Sequence, residues 1–131
     1  MVQVQSVMTP TLEAPDTDLR LQQLAAFFAQ QWQTVHGRSG IDPSARLAGN
    51  TLTITLIQAL LDAETVMASD PDHASSILRQ VTHEVDSFYP QFAHQIERLL
   101  HCHVGALHVE LLPASSAIRV HVQLRDAPRP I

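Results

Sequence analysis

The chain has 131 residues, 45% of them hydrophobic and 16% charged, which suits one globular domain with a real core and is too short for two. Its formal charge is -5 and every basic residue is arginine, so no dense cationic surface is available for phosphate backbones and nucleic-acid binding is not expected. A single cysteine excludes an internal disulfide, and neither a secretory leader pattern nor an apolar run near the ~20 residues of a spanning helix is present, so a cytoplasmic setting without direct membrane insertion is expected.

Residues 1–15, with Pro10 and Pro15 among scattered Thr, Val and Gln, show no usable period and read as a flexible lead-in. Asp16 or Thr17 is suited to cap a first helix, in which Leu21, Leu24, Ala25, Phe28, Trp32 and Val35 recur at three- and four-residue steps and Gly37 supplies the stop. Alternation then takes over on both sides of Gly49-Asn50, a pair that accepts the positive φ angles of a tight hairpin. That turn pairs Leu47 with Leu52 and Ala45 with Ile54, leaving Arg46, Thr51, Thr53 and Thr55 on the other face.

A short helix is expected over 58–69 and a longer one from Asp70-Pro71, because aspartate caps and proline suits the first helical position. Ile77, Val81, Val85, Phe88, Phe92, Ile96 and Leu99 keep the helical period to about His101, with Pro90 expected to kink or split the run. A second hairpin follows, its strands alternating through Leu107, Val109, Leu111 and Ile118, Val120, Val122, Leu124. Matching the apolar sides sets Glu110 opposite Arg119 and His108 opposite His121. The order α-β-β-α-α-β-β predicts an α+β domain over 16–125: two hairpins forming a four-stranded, mainly antiparallel sheet with helices on one face, followed by a flexible tail at 126–131.

Three histidines, the cysteine and a carboxylate fall within the ten residues His101 to Glu110. Adjacent ligands diverge on an extended chain, so Cys102 points away from His101 and His103, and two imidazoles alone do not make a metal site; no metal and no cofactor are expected. His83, His94 and His101 share one helical line, but ~1.5 Å of rise per residue keeps them too far apart for one ion, and they mark a solvated face. Glycine-rich phosphate loops and nucleophile-elbow motifs are absent, and Glu64, Glu84, Asp86 and Glu97 lie on helices, where carboxylates are usually solvated; no catalytic residue is assigned. The candidate surface is the polar sheet face, with Arg46, Thr53, His108, Glu110, Arg119 and His121. It reads either as a wet or dimer-forming surface or as a ligand face with two arginines and a histidine pair that titrates near neutral pH.

From about Leu19 to Leu124 the chain resembles the MpsC family, also called YbcI-like. The likeness is carried by Gly37-Arg38-Ser39-Gly40 after the leading helix, the hairpin Ala48-Gly49-Asn50-Thr51-Leu52, the segment Leu60-Leu61-Asp62-Ala63-Glu64 and the strand element His108-Val109-Glu110. Gly37, Arg38, Gly40, Gly49 and Glu64 are the motif-like positions. The resemblance implies a non-catalytic accessory or regulatory protein linked to bicarbonate transport or membrane-potential generation. Its expected partners are a second copy of itself, as a homodimer, and a membrane-associated transporter or ion-translocating complex. A small-anion or pH sensor acting through the polar sheet face, and a small metal-binding protein, are the alternatives.

Overall fold

The computed structural model describes residues 13–126; the expected lead-in up to residue 12 and the tail from residue 127 lie outside the described residues. The elements run α1 (Glu13–His36), β1 (Asp42–Ala48), β2 (Thr51–Ile57), α2 (Asp62–Ala68), α3 (Pro71–Leu100), β3 (Val104–Leu112), a 3-10 turn at Pro113–Ser115, and β4 (Ala117–Leu124). The four strands form one antiparallel sheet in the order β1-β2-β4-β3, and the three helices pack on one of its faces. This is the expected α+β arrangement, completed within a single chain.

Local chemistry accounts for most boundaries. Gly37 (φ +83) closes α1, its N–H reaching the Gln33 carbonyl at 2.8 Å. Gly49 (φ +60) turns the first hairpin, and the observed register pairs Leu47 with Leu52 and Ala45 with Ile54. At the start of α3 the Asp70 carboxylate accepts from the Asp72 N–H at 3.0 Å, with Pro71 as the first helical residue. The second hairpin sets Glu110 opposite Arg119 and His108 opposite His121.

Four expectations need correction. Helix α1 begins at Glu13, ahead of Asp16, because Pro15 falls in the first turn, where no intrahelical N–H is required of it. Helix α2 begins at Asp62, not near Gln58, because Gln58 takes a left-handed φ of 65 and the Leu60 N–H bonds the Ser116 carbonyl, tying 58–61 to the β3–β4 turn. Helix α3 runs unbroken through Pro90, which is exposed. The carbonyl that proline leaves without a helical donor is that of Asp86, also an exposed residue, and water can satisfy it. The stripes shift by one at their ends: Val35 is 41% exposed, and Leu100 rather than Leu99 is fully buried.

Between helices and sheet lie Leu24, Phe28 and Trp32 of α1, Val81, Val85, Phe88, Phe92 and Ile96 of α3, and Leu52, Ile54, Leu56, Ile118, Val120 and Val122 of the sheet. Phe28 meets Phe88 and Phe92 edge-on at 5.0 and 4.8 Å, an arrangement that the ring quadrupoles favour. Each large apolar side chain buried here contributes roughly 1.5–3 kcal/mol. The core therefore binds α1 and α3 to one face of the sheet, and none of the described helices covers the opposite face.

Candidate functional site

The open face carries two cross-strand rows of polar side chains, because alternate residues of a strand point to opposite sides of a sheet. One row is Arg46, Thr53, His121, His108; the next is Ser44, Thr55, Arg119, Glu110. All six candidate residues read from the sequence therefore stand on one surface. His121 Nε2 lies 3.0 Å from Glu110 Oε1, and its Nδ1 lies 3.4 Å from the Thr53 hydroxyl. The Arg119 Nε–H donates to the Thr55 hydroxyl at 3.4 Å, whereas its Nη1 is 3.8 Å from Glu110, beyond a hydrogen bond. The hydrogen bond from His121, together with the nearby Arg119 and histidine charges, holds the Glu110 carboxyl below the usual carboxylate range. The His108 and His121 rings stack at 6.0 Å. Arg46 forms no ion pair among the described residues.

A second polar cluster, not anticipated from the sequence, lies inside the molecule where α1, α2 and α3 meet. The His36 side chain is only 2% exposed. Its Nε2 lies 2.6 Å from Glu64 Oε1, and its Nδ1 lies 2.9 Å from both carboxylate oxygens of Glu84. An ionised carboxylate only accepts, so this geometry favours a ring that carries protons on both nitrogens, an imidazolium paired with Glu64 and Glu84. Burial pushes its pKa down, but the hydrogen bonds and charges of Glu84 and Glu64 outweigh that, and the net shift is upward. The Trp32 indole stacks on the ring at 4.4 Å and donates its own N–H to the Ala59 carbonyl at 3.1 Å.

Glu64 ties the three helices together. Its Oε1 also accepts from the Leu61 N–H at 2.8 Å, capping α2, and its Oε2 accepts from Gln80 of α3 at 3.2 Å. The expectation that Glu64 and Glu84 are ordinary solvated helix carboxylates is thus corrected: both partner a buried imidazolium. Three of the motif-like positions gather round this point. Gly37 ends α1 directly after His36, Glu64 holds the ring, and Arg38 donates to the Gln58 carbonyl at 3.1 Å, gripping the left-handed turn. Gly40 (φ +74) lies just before β1, and Gly49 is at the hairpin tip, away from the cluster.

The sequence does hold a signal for His36. Phe28, Trp32 and His36 step by four along α1, so the histidine, not Val35, continues the buried stripe.

The histidine-cysteine segment does not converge. Cys102 is buried while His101 and His103 are exposed, and His101 itself takes the left-handed conformation (φ 53) that ends α3. Burial, with the charges of Asp126 and Glu97, pushes the Cys102 thiol up, away from a reactive thiolate. His83 and His94 are exposed on α3. Among the described residues no group of three or more His, Cys, Asp or Glu side chains is arranged to hold a metal ion, and no helix is long and apolar enough to cross a membrane. No family model, curated protein or solved structure matches the chain.

Proposed function

We propose that this chain is a non-catalytic accessory or regulatory protein whose open sheet face recognises an acidic surface on a larger, membrane-associated assembly. One observation carries the reading. A chain with a formal charge of -5 places Arg46 and Arg119 together on the one sheet face its own helices leave uncovered. Opposite charge on a partner would steer the encounter and set its register. Both sheet edges are poor templates for strand addition, β1 because of Pro43 and β3 because of the irregularity between Val104 and Leu107, so the face rather than an edge is the contact. The link to ion translocation and inorganic-carbon supply rests on the MpsC-like residue pattern. Homodimer formation belongs to the same proposal and draws on the exposed apolar side chains Val35, Ile57, Leu61, Val66 and Met67.

The test compares the wild-type chain with an Arg46→Glu/Arg119→Glu variant, each immobilised and offered solubilised membranes from the source cells. The expected result is retention of an ion-translocating assembly by the wild type and its loss from the variant, with unchanged circular dichroism. Native mass spectra should show dimers of both. A monomeric chain that captures the same proteins with and without the charge reversal would remove the proposal.

A further inference from the structure

The groove between Arg46 and Arg119 has a chemistry more specific than a cationic patch. Its lining is Ser44, Ala45, Arg46, Thr53, Thr55 and Arg119, and it includes no carboxylate. The register explains the composition. Ser44 and Thr55 share a row with Arg119, and Arg46 shares the next row with Thr53. Side chains on β1 and β4 thus flank a floor of two threonine hydroxyls on β2. With a volume of about 360 Å³ the groove has room for a small ion and several of its waters, each of which occupies ~30 Å³ in the liquid.

The guanidinium donors in this groove are largely unspent, whereas the Thr53 hydroxyl lies 3.4 Å from His121 Nδ1. Arg119 uses its Nε–H on Thr55 at 3.4 Å, and its closest carboxylate oxygen, on Glu110, is 3.8 Å away, so the Nη donors are not held by a short ion pair. Glu110 already has its closer partner in His121 at 3.0 Å. Arg46 has no ion pair among the described residues. Guanidinium groups present planar forks that match oxyanions through paired N–H donors. Arg46 on β1 and Arg119 on β4 stand on the two sides of β2, and an anion with at least three oxygens can offer a bidentate pair to each guanidinium, whereas a simple carboxylate offers one such pair.

We propose that the Arg46–Arg119 groove is a binding site for a small oxyanion of the phosphate, sulfate or carbonate type, free or carried as the terminal group of a small molecule, with Thr55 and Ser44 supplying hydroxyl contacts. The proposal rests on the reading of the open face as the working surface and adds a ligand to it.

The experiment is an NMR titration of the full chain at low ionic strength with inorganic phosphate, glycerol phosphate, acetate and, as an ionic-strength control, sodium chloride. The expected result is saturable perturbation of the backbone amides of residues 44–46, 53–55 and 119 by phosphate, with acetate at least tenfold weaker. Arg46→Gln and Arg119→Gln should each weaken phosphate at least tenfold, while Arg125→Gln, outside the groove lining, leaves it unchanged. Glycerol phosphate binding more tightly than phosphate identifies a carried group, and the reverse order a free anion; either supports the site. Shifts that merely follow the chloride control, that are equal for acetate, or that persist in both groove variants would overturn it. If the titration fails but the charge-reversed chain still loses its partner, the protein-recognition reading stands and only the anion site falls.

Discussion

His36 and His121 each reach a glutamate, at 2.6 Å to Glu64 and 3.0 Å to Glu110, yet one side chain is 2% exposed and the other 32%. At His36 both ring nitrogens face carboxyl groups, an arrangement that favours the charged ring. At His121 the second nitrogen faces the Thr53 hydroxyl, which can donate to it, so the bonds at that site also suit a neutral ring. In water the ion pair competes with solvent and salt, and its net worth is small; at the helix junction, where the Glu64 and Glu84 side chains are only 11% and 18% exposed, the same chemistry is largely withdrawn from solvent, and losing one member strands the others. The buried cluster therefore contributes to the fold, and the exposed one is free to respond to a ligand.

Breaking the buried member should give the largest effect. His36→Ala leaves Glu64 and Glu84 facing each other without the cation between them, and the expected loss is about 3–5 kcal/mol in urea unfolding. Glu64→Gln keeps the shape but replaces a charged acceptor that serves His36 and Leu61, and about 1–3 kcal/mol should be lost by the same measurement. The pH dependence sharpens the contrast. His36 is held above its ordinary value of 6.5, so its contribution is fully present below that value and is lost as pH rises through the folded-state value. Thermal unfolding followed upward from pH 6 should show a falling midpoint in the wild type and a flatter profile in His36→Gln. Glu110, held below its ordinary value, behaves in the opposite sense: its contribution is present above that value and is lost as pH falls through the folded-state value. Glu110→Gln at neutral pH should change stability by no more than ~1 kcal/mol, because the pair is solvent-exposed. A loss there as large as that of His36→Ala would abolish the distinction between the two sites.

The exposed cluster was legible from the sequence because its members are joined by strand alternation and a two-residue turn. Once Gly49-Asn50 is placed and leucine is kept from facing arginine, Glu110 must meet Arg119 and His108 must meet His121. No comparable short-range rule connects His36 to partners 28 and 48 residues away on two other helices. A histidine beside a valine at a helix end suits either the core or the surface, and here the four-residue step from Trp32 outweighs hydropathy because two carboxylates wait at the end of it. The late start of α2 was hidden for a related reason: Gln58 adopts a conformation that its residue type does not advertise, held there by contacts from Arg38 and the β3–β4 turn.

Trp32 is the only tryptophan in the chain, and its indole lies flat against the His36 ring. Protonated imidazole in van der Waals contact quenches indole emission by accepting an electron from the excited state, and the neutral ring does so far less. The fold has thus placed its single tryptophan on the ring whose two nitrogens reach α2 and α3, and the indole emission of unlabelled protein reports whether that ring is charged.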